Sequence, residues 1–171
     1  MLNKKIEKAY NDQSNAELFS AYLYLSMASY FSDKNLAGFA HWMNLQAQEE
    51  TMHALKFIGY VQTRGGRVIL EKLEKPAHEW ESPLAAFSEA LEHERYISGR
   101  INDLVKLSGE INDYASGQFL LWYVAEQVEE EEAATEVRDK LALVGNNPQG
   151  LLFMDKELGA RALTPAAPAQ A

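Results

Sequence analysis

A histidine follows a glutamate by three positions in the pair Glu50 and His53. Residues three apart share one face of an α-helix, so this carboxylate and this imidazole can bind the same metal ion. The glutamates Glu17, Glu94 and Glu130 interrupt apolar faces elsewhere in the chain. Burying such charges alone costs roughly several kcal/mol per group, and divalent cations are the natural compensation. Carboxylates with one imidazole suit iron, manganese or zinc, and the pattern is typical of two bridged metal ions.

The helices that must position these groups are marked by the distribution of helix breakers. No proline precedes Pro76 and no glycine precedes Gly38, so the chain begins with long uninterrupted stretches. Ser82 and Pro83 are typical of a helix start, and Gly109 is typical of a helix end. The predicted helices cover about residues 3–32, 36–64, 82–109, 113–144 and 150–163.

Each of the four long helices has an apolar stripe that polar residues interrupt at a similar height. These residues are Gln13 and Glu17 in the first helix, Gln46, Glu49, Glu50 and His53 in the second, Glu94 in the third, and Glu126, Gln127 and Glu130 in the fourth. The midpoints of the four helices fall near positions 17, 50, 95 and 128, whichever way each helix points. The interrupting side chains should therefore meet in the middle of one core.

The segment 65–82 is too long for a hairpin between neighbouring helices. Its 18 residues can span roughly 60 Å at about 3.3 Å each, whereas a helix of about 28 residues is about 42 Å long. It can cross the full length of the bundle and leave the second and third helices parallel. The sequence thus predicts an all-α four-helix bundle with a long crossover and a short fifth helix. It predicts one domain, 1–163, and a flexible tail, 164–171.

Composition excludes several classes of function. The net charge is -9, which disfavours binding to nucleic acid. The chain has no cysteine, which excludes disulfides, zinc-thiolate sites, iron-sulfur clusters and thiol nucleophiles. No apolar run resembles a signal peptide or is long enough to span a bilayer, so we expect a cytoplasmic protein without a membrane partner.

The chain resembles a bacterial non-haem ferritin over nearly its whole length, in Glu17, residues 46–53, Glu94, residues 122–131 and the short fifth helix. The resemblance implies these ligands: Glu17, Glu50 and His53 for one iron ion, Glu50 as the bridge, Glu94 and Glu130 for a second ion, and Gln127 close by. It implies a third iron site at Glu49, Glu126, Glu129 and Glu130. It also implies that Fe(II) is oxidised with O2 or H2O2, and that a shell of twenty-four copies stores ferric mineral.

Two aromatic residues are candidates for supporting roles. Tyr24 lies two turns after Glu17 on the same face, where it can hydrogen-bond a ligand or supply one electron. Trp122 is a candidate to assist it. The other histidines, His41, His78 and His93, have no partners at ligand spacing and are interpreted as surface or hydrogen-bonded residues. Glu110 and Asp113 are interpreted as a polar turn rather than the lining of a cation pore.

Related readings fit the sequence less well. A bacterioferritin carries Glu at the place of Gln127, His at the place of Glu130, and a haem-binding Met at the place of Thr51, so no haem is expected. A rubrerythrin-like peroxidase needs a second Glu-x-x-His and a Cys-rich module. A Dps-like DNA protector builds its site between subunits. A catalytically silent cage subunit remains an alternative, although it requires lost ligands and none is lost.

Overall fold

The computed structural model describes residues 2–163, so the predicted tail at 164–171 lies outside the described residues. The helices are α1 (Lys4–Asp33), α2 (Ala37–Thr63), α3 (Pro83–Glu110), α4 (Tyr114–Val144) and α5 (Pro148–Leu158). The described part of the chain is all-α, and the predicted four long helices and short fifth helix are confirmed. None of these helices is both long and apolar enough to cross a membrane.

The ends of the helices follow their capping residues. Asn3, Ser82, Asp113 and Asn147 each accept a hydrogen bond from a backbone N–H in the first turn that follows. The prediction for α5 was wrong at both ends: the helix begins at Pro148 instead of residue 150, and it ends at Leu158 instead of residue 163. Asn147 as cap with proline at the first helical position explains the earlier start.

The end of α3 also differs from the prediction. Gly109 lies inside the helix, which continues to Glu110. The chain reverses at Asn112, whose φ of 58° lies in the left-handed region that asparagine tolerates. The backbone N–H of Asp113 then bonds to the carbonyl of Ser108 at 2.9 Å.

The long crossover between α2 and α3 runs along α1. The side chain of Asn11 accepts a hydrogen bond from the N–H of Ile69 at 2.8 Å, near the beginning of α1. The hydroxyl of Tyr30 donates to the carbonyl of Trp80 at 3.0 Å, near the end of α1. The loop therefore travels the length of the bundle, and α2 and α3 are parallel as predicted.

Within residues 2–163, the core consists of two apolar clusters with a polar belt between them. One cluster contains Phe31, Phe39 and Phe87, and the other contains Phe57 and Tyr123. On every long helix, the predicted inward-facing carboxylates, together with His53, lie between the parts that contribute to the two clusters. The belt is therefore at the middle of the bundle, and the apolar layers on both sides limit its access to water.

The fifth helix packs on the beginning of α2 through a close backbone approach. A Cβ built on Gly38 would lie 1.6 Å from the carbonyl oxygen of Asp155, so only glycine fits there. The carboxylate of Asp155 accepts hydrogen bonds from the N–H groups of Gly38 at 2.8 Å and Phe39 at 3.1 Å. It caps α2, whose own N-cap residue, Leu36, has no side-chain hydrogen bond.

Candidate metal centre

The four long helices bring the predicted side chains into the polar belt. Buried members are Glu17 from α1, Glu49, Glu50 and His53 from α2, Glu94 from α3, and Gln127 and Glu130 from α4. Glu50 is 0% exposed and Glu17 and Glu94 are 1% exposed, a degree of burial that is rare for carboxylates unless they are paired. Glu126 is half-buried at the edge of this group, with 25% of its side chain exposed.

A first group of ligand atoms comes from Glu17, Glu50 and His53, which offer one atom each within 4.8 Å of one another. Nδ1 of His53 lies 3.4 Å from Oε2 of Glu50. Among the described residues, both carboxylate oxygens of Glu50, Oε2 of Glu17 and Nδ1 of His53 make no hydrogen bond. Buried polar atoms are nearly always hydrogen-bonded, so these four atoms form a ligand set that calls for a cation.

Burial shapes the electrostatics of the carboxylates in the belt. It raises the pKa of Glu17 and raises the pKa of Glu50 well above its usual range, with the charges of neighbouring glutamates adding to the effect at Glu50. Burial likewise raises the pKa of Glu94 to about 7 and that of Glu130 to about 8. A divalent cation among these groups would favour their ionised forms and reverse the shifts.

A second group of ligand atoms comes from His53, Glu126 and Glu130, again within 4.8 Å of one another. Nε2 of His53 lies 4.0 Å from Oε1 of Glu126. The two ring nitrogens of His53 thus face different carboxylates, Glu50 on one side and Glu126 on the other. The amide of Gln46 donates a hydrogen bond to Oε2 of Glu130 at 2.6 Å and holds that carboxylate in place.

The second group of ligand atoms differs from the set expected for a second ion. The expected set was Glu94 and Glu130 with Glu50 as the bridge, whereas the atoms that converge come from His53, Glu126 and Glu130. Within residues 2–163, Glu94 belongs to neither group of converging ligand atoms. The hydroxyl of Tyr24 donates to Oε1 of Glu94, and the amide of Gln127 donates to Oε2 at 3.2 Å. These two donors, one from α1 and one from α4, orient the carboxylate of Glu94.

The residues predicted for a third iron site have different surroundings. Glu126 and Glu130 belong to the second group, whereas Glu129 is exposed on α4. Oε2 of Glu49 accepts a hydrogen bond from Nη2 of Arg161 at 2.7 Å. The third site therefore stays a prediction, with two of its four carboxylates close together in the structure.

The aromatic candidates border the belt from two sides. Tyr24 is fully buried, and burial together with the charge of Glu94 raises the pKa of its hydroxyl, which keeps it protonated as a hydrogen-bond donor. The ring centroid of Trp122 lies 5.3 Å from that of His53. The ammonium of Lys56 lies 3.1 Å from the Trp122 centroid, a cation–π contact at the edge of the site.

Two arginines that contact the site were not found from the sequence. Nε of Arg100 donates to Oε1 of Gln13 at 2.8 Å, and Nε2 of Gln13 donates to Oε1 of Glu17 at 2.8 Å. Arg161 reaches Glu49 from the segment that follows α5. Gln13 and Gln46 stood out as polar residues within apolar stripes, but no sequence signal marks Arg100 or Arg161.

The remaining candidates have the structural surroundings that the sequence predicted. Nε2 of His93 lies 2.7 Å from the hydroxyl oxygen of Ser20, and burial lowers the pKa of His93 to about 4. His41 bonds to the carbonyl of Arg161 at 2.8 Å, and His78 is exposed. Asp113 caps α4 and pairs with Arg64 at 3.2 Å, as expected of a polar turn.

Comparison with known proteins places this chain in a family. The model of the Ferritin family, which describes a ferritin-like domain, matches residues 7–144. A bacterial non-haem ferritin of Bacteroides fragilis is 40% identical over 161 residues, which cover 94% of this chain and 100% of that protein. A probable bacterial non-haem ferritin-like protein of Haemophilus influenzae is 37% identical over 93% of this chain and 96% of that protein.

Solved structures agree with the sequence relatives. The open pore ferritin of the hyperthermophilic archaeon Archaeoglobus fulgidus superposes with a TM-score of 0.94 at 51% identity, over 95% of this chain and 99% of that one. A form of the same ferritin that was engineered to be closed also gives a TM-score of 0.94 at 51% identity, over 96% and 100%. With its four long helices, its crossover and its buried carboxylates and histidine, the chain belongs to the ferritin family.

Proposed function

We propose that this protein is an iron-storage ferritin with ferroxidase activity. It oxidises Fe(II) to Fe(III) at a centre for two ions, with O2 or H2O2 as the oxidant, and deposits ferric mineral inside a cage of its own copies. Membership of the ferritin family supports iron storage as the general role. The oxidation chemistry is proposed from the buried ligands of this chain.

The observation that carries the proposal is the convergence of unpartnered ligand atoms in the polar belt. Glu17, Glu50 and His53 present four buried atoms that bond to nothing in the described chain. Three of these four atoms are carboxylate oxygens and one is an imidazole nitrogen, a donor set that suits Fe(II) and favours Fe(III) even more. Glu126 and Glu130 extend the same set on the other side of His53.

In the proposed reaction, two iron ions supply the two electrons that the oxidant takes up. Two Fe(II) ions lose one electron each, and O2 takes up these two electrons and two protons to give H2O2. With H2O2 as the oxidant, the same two electrons and two protons give two molecules of water. Carboxylates with a raised pKa carry protons before iron binds and release them when iron binds, so the site can supply protons locally.

The chain's residues have separable tasks in this scheme. Glu17, Glu50 and His53 bind the first ion, and Glu94 and Glu130 with Glu50 bind the second, with Gln127 close by. Tyr24 orients Glu94 through its hydrogen bond. The proposed assembly is a homo-oligomer of twenty-four copies in the cytoplasm, with no haem.

The test is the rate at which ferric absorbance develops when Fe(II) is mixed with the purified protein in air. We expect a rapid phase in the wild type and its loss in His53→Ala, with a fall of at least about tenfold. Glu92→Gln is the matched control, because Glu92 is exposed and lies two residues from Glu94 on α3. Equal slow rates in all three proteins would instead indicate the catalytically silent cage subunit. A Soret band in the visible spectrum would contradict the absence of haem.

A further inference from the structure

The chain that follows α5 returns along α2 toward the polar belt. Its path is fixed by the close packing of Asp155 on Gly38. Three residues farther along α2, the ring of His41 bonds to the carbonyl oxygen of Arg161 at 2.8 Å. The backbone of the segment 159–163 is therefore attached to α2 at a defined place.

The side chain of Arg161 is held by two residues of α2. Its guanidinium carbon lies 4.6 Å from the ring centroid of Trp42, a cation–π contact. Its Nη2 donates to Oε2 of Glu49 at 2.7 Å, a short charge-assisted hydrogen bond. The side chains of Arg161 and Glu49 are only 21% and 6% exposed, so solvent screens this pair weakly.

This contact gives Glu49 surroundings unlike those of the other carboxylates in the belt. Glu49 directly precedes Glu50 on α2, and its charge acts on both Glu126 and Glu130. Those two carboxylates converge with His53 as potential metal ligands, whereas Glu49 belongs to neither group in the described part of the chain. The predicted third site requires Glu49 as a metal ligand. In the structure the positive charge beside Glu49 is the guanidinium of Arg161.

We infer that Arg161 is a built-in counter-ion that competes with a third metal ion for Glu49, so that the segment 159–163 sets how many ions the centre holds. The inference rests on the proposed function, because it assigns a control element to the same site. Because Arg161 already bonds to Oε2 of Glu49, a cation that enters beside Glu126 and Glu130 competes with the guanidinium for this carboxylate. The first ion, at Glu17, Glu50 and His53, does not depend on this exchange.

The test uses Zn(II), which does not change oxidation state and accepts carboxylate and imidazole ligands. Crystals of the wild type, Arg161→Ala and Arg161→Met are soaked in Zn(II) and measured at the zinc absorption edge. We expect two ions per chain in the wild type and a third ion bound to Glu49 in both variants. In solution, titration with Zn(II) should show that the third ion binds at least about tenfold tighter in the variants, the scale of one hydrogen bond to a charged group.

Two controls isolate the contact. Arg161→Met keeps an aliphatic side chain against Trp42 without the charge, so it covers the case in which Arg161→Ala fails to fold. Arg67→Ala removes the same charge from an exposed position on the crossover loop, and it should bind Zn(II) as the wild type does. A third ion in Arg67→Ala would assign the effect to net charge and overturn the inference.

Failure of this inference differs from failure of the proposed function. A wild type that oxidises Fe(II) rapidly, with no additional ion in either Arg161 variant, would overturn the inference alone. A third ion on Glu49 in the wild type, with Arg161 still bonded to the same carboxylate, would do so too. A wild type without ions at Glu17, Glu50 and His53 would refute the proposed function itself.

Discussion

Glu49 and Glu50 are neighbours on α2, both buried, yet they lie in different electrostatic surroundings. Glu50 points into the polar belt, where neither of its oxygens has a hydrogen-bond partner among the described residues. Glu49 lies at the margin of the belt and bonds to Arg161 at 2.7 Å. Two adjacent carboxylates on one turn of α2 therefore differ. Glu50 has ligand atoms free for an external cation, whereas Glu49 is paired with a cation of the chain itself, Arg161.

The difference shows how a fold can separate structural charge from functional charge. A buried carboxylate needs a compensating partner, and an arginine on the same chain is sufficient when only stability is required. Leaving Glu50 without such a partner reduces the stability of the chain, but it keeps the ligand free to bind. Five predictions, from the largest expected effect to the smallest, test this comparison.

Replacing each member of the pair gives the largest contrast. Glu50→Gln should abolish the rapid phase of Fe(II) oxidation, with a rate loss of at least about 100-fold, because even partners behind a metal ligand are worth about 10- to 100-fold. Glu49→Gln should retain the rapid phase, because it leaves the first ligand group complete. Stopped-flow absorbance on both variants measures this. Equal losses in the two variants would mean that the neighbours are not functionally distinct.

The stability of the metal-free protein should fall as the pH rises. Burial raises the pKa of Glu94 to about 7 and that of Glu130 to about 8, whereas glutamate in the unfolded chain has a pKa of about 4.3. Between these values the native state binds more protons. The stabilisation is therefore fully present below about pH 4.3 and is lost as the pH rises through 7 and 8, at about 1.4 kcal/mol per pH unit per proton.

Thermal unfolding at pH 6 and pH 8.5 in the presence of a chelator measures this dependence. Glu130→Gln should flatten it, because the amide does not titrate. Saturating Zn(II) should flatten it as well, because the cation replaces the protons. A thermal unfolding midpoint that rises with pH in the metal-free protein would contradict the prediction. It would show that Glu94 and Glu130 are paired with cationic groups of the chain, as Glu49 is with Arg161.

Most of the polar belt could be predicted because helix geometry converts sequence spacing into position. The interval between Glu50 and His53, and the place of Glu17 and Glu94 within apolar stripes, are local properties of one helix each. The crossover could be predicted from the length of segment 65–82 alone. The arrangement within the belt could not, since it depends on donors from other helices, such as Gln46 at Glu130.

The contact of Glu49 with Arg161, at the margin of the belt, was the least predictable part, because it too depends on residues far apart in sequence. Arg161 reaches Glu49 across 112 positions of sequence, and its place depends on where α5 ends. The sequence favoured a helix to residue 163, which would have placed Arg161 inside α5. The packing of Asp155 on Gly38 decides the geometry there, and no periodic pattern encodes such a contact between two backbones.

Gly38→Ala tests whether that packing positions Arg161. The added Cβ would lie 1.6 Å from the carbonyl oxygen of Asp155, so α5 must shift away from α2. Overpacking of this kind costs about 1 to 3 kcal/mol, and thermal unfolding should show it. Gly59→Ala is the control on the same helix, because a Cβ there meets no atom of residues 2–163 within 4 Å. Protease cleavage after Arg161 should be faster in Gly38→Ala; an unchanged rate would mean that the segment is held by other contacts.

Tyr24→Phe tests the hydrogen bond that orients Glu94. Loss of a hydrogen bond to a charged ligand should slow Fe(II) oxidation by about tenfold, the lower end expected for a residue behind a metal ligand. Tyr22→Phe is the matched control, because Tyr22 is 45% exposed on the same helix. If both variants oxidise Fe(II) at the wild-type rate, Glu94 does not need Tyr24 for its position.

The smallest effect is expected at Arg100, which reaches the first ligand group through an intermediary. Its Nε donates to Oε1 of Gln13, and this fixes the amide so that Nε2 donates to Glu17. In Arg100→Gln the amide loses that constraint, and Glu17 loses part of its orientation. One hydrogen bond is worth about 0.5 to 1.5 kcal/mol, so Zn(II) should bind about 2- to 10-fold more weakly.

Arg95→Gln is the control for Arg100, because Arg95 is exposed on the same helix and removing it changes the net charge equally. Competition with a chelator measures the Zn(II) affinity of both variants. A loss of Zn(II) affinity in Arg100→Gln alone would mean that Arg100 supports the centre indirectly, by positioning Glu17 through Gln13. Arg161, in contrast, bonds directly to the carboxylate of Glu49. Equal losses in both variants would reduce the role of Arg100 to its charge, and Glu17 would then resemble Glu50 in depending on the bound cation alone.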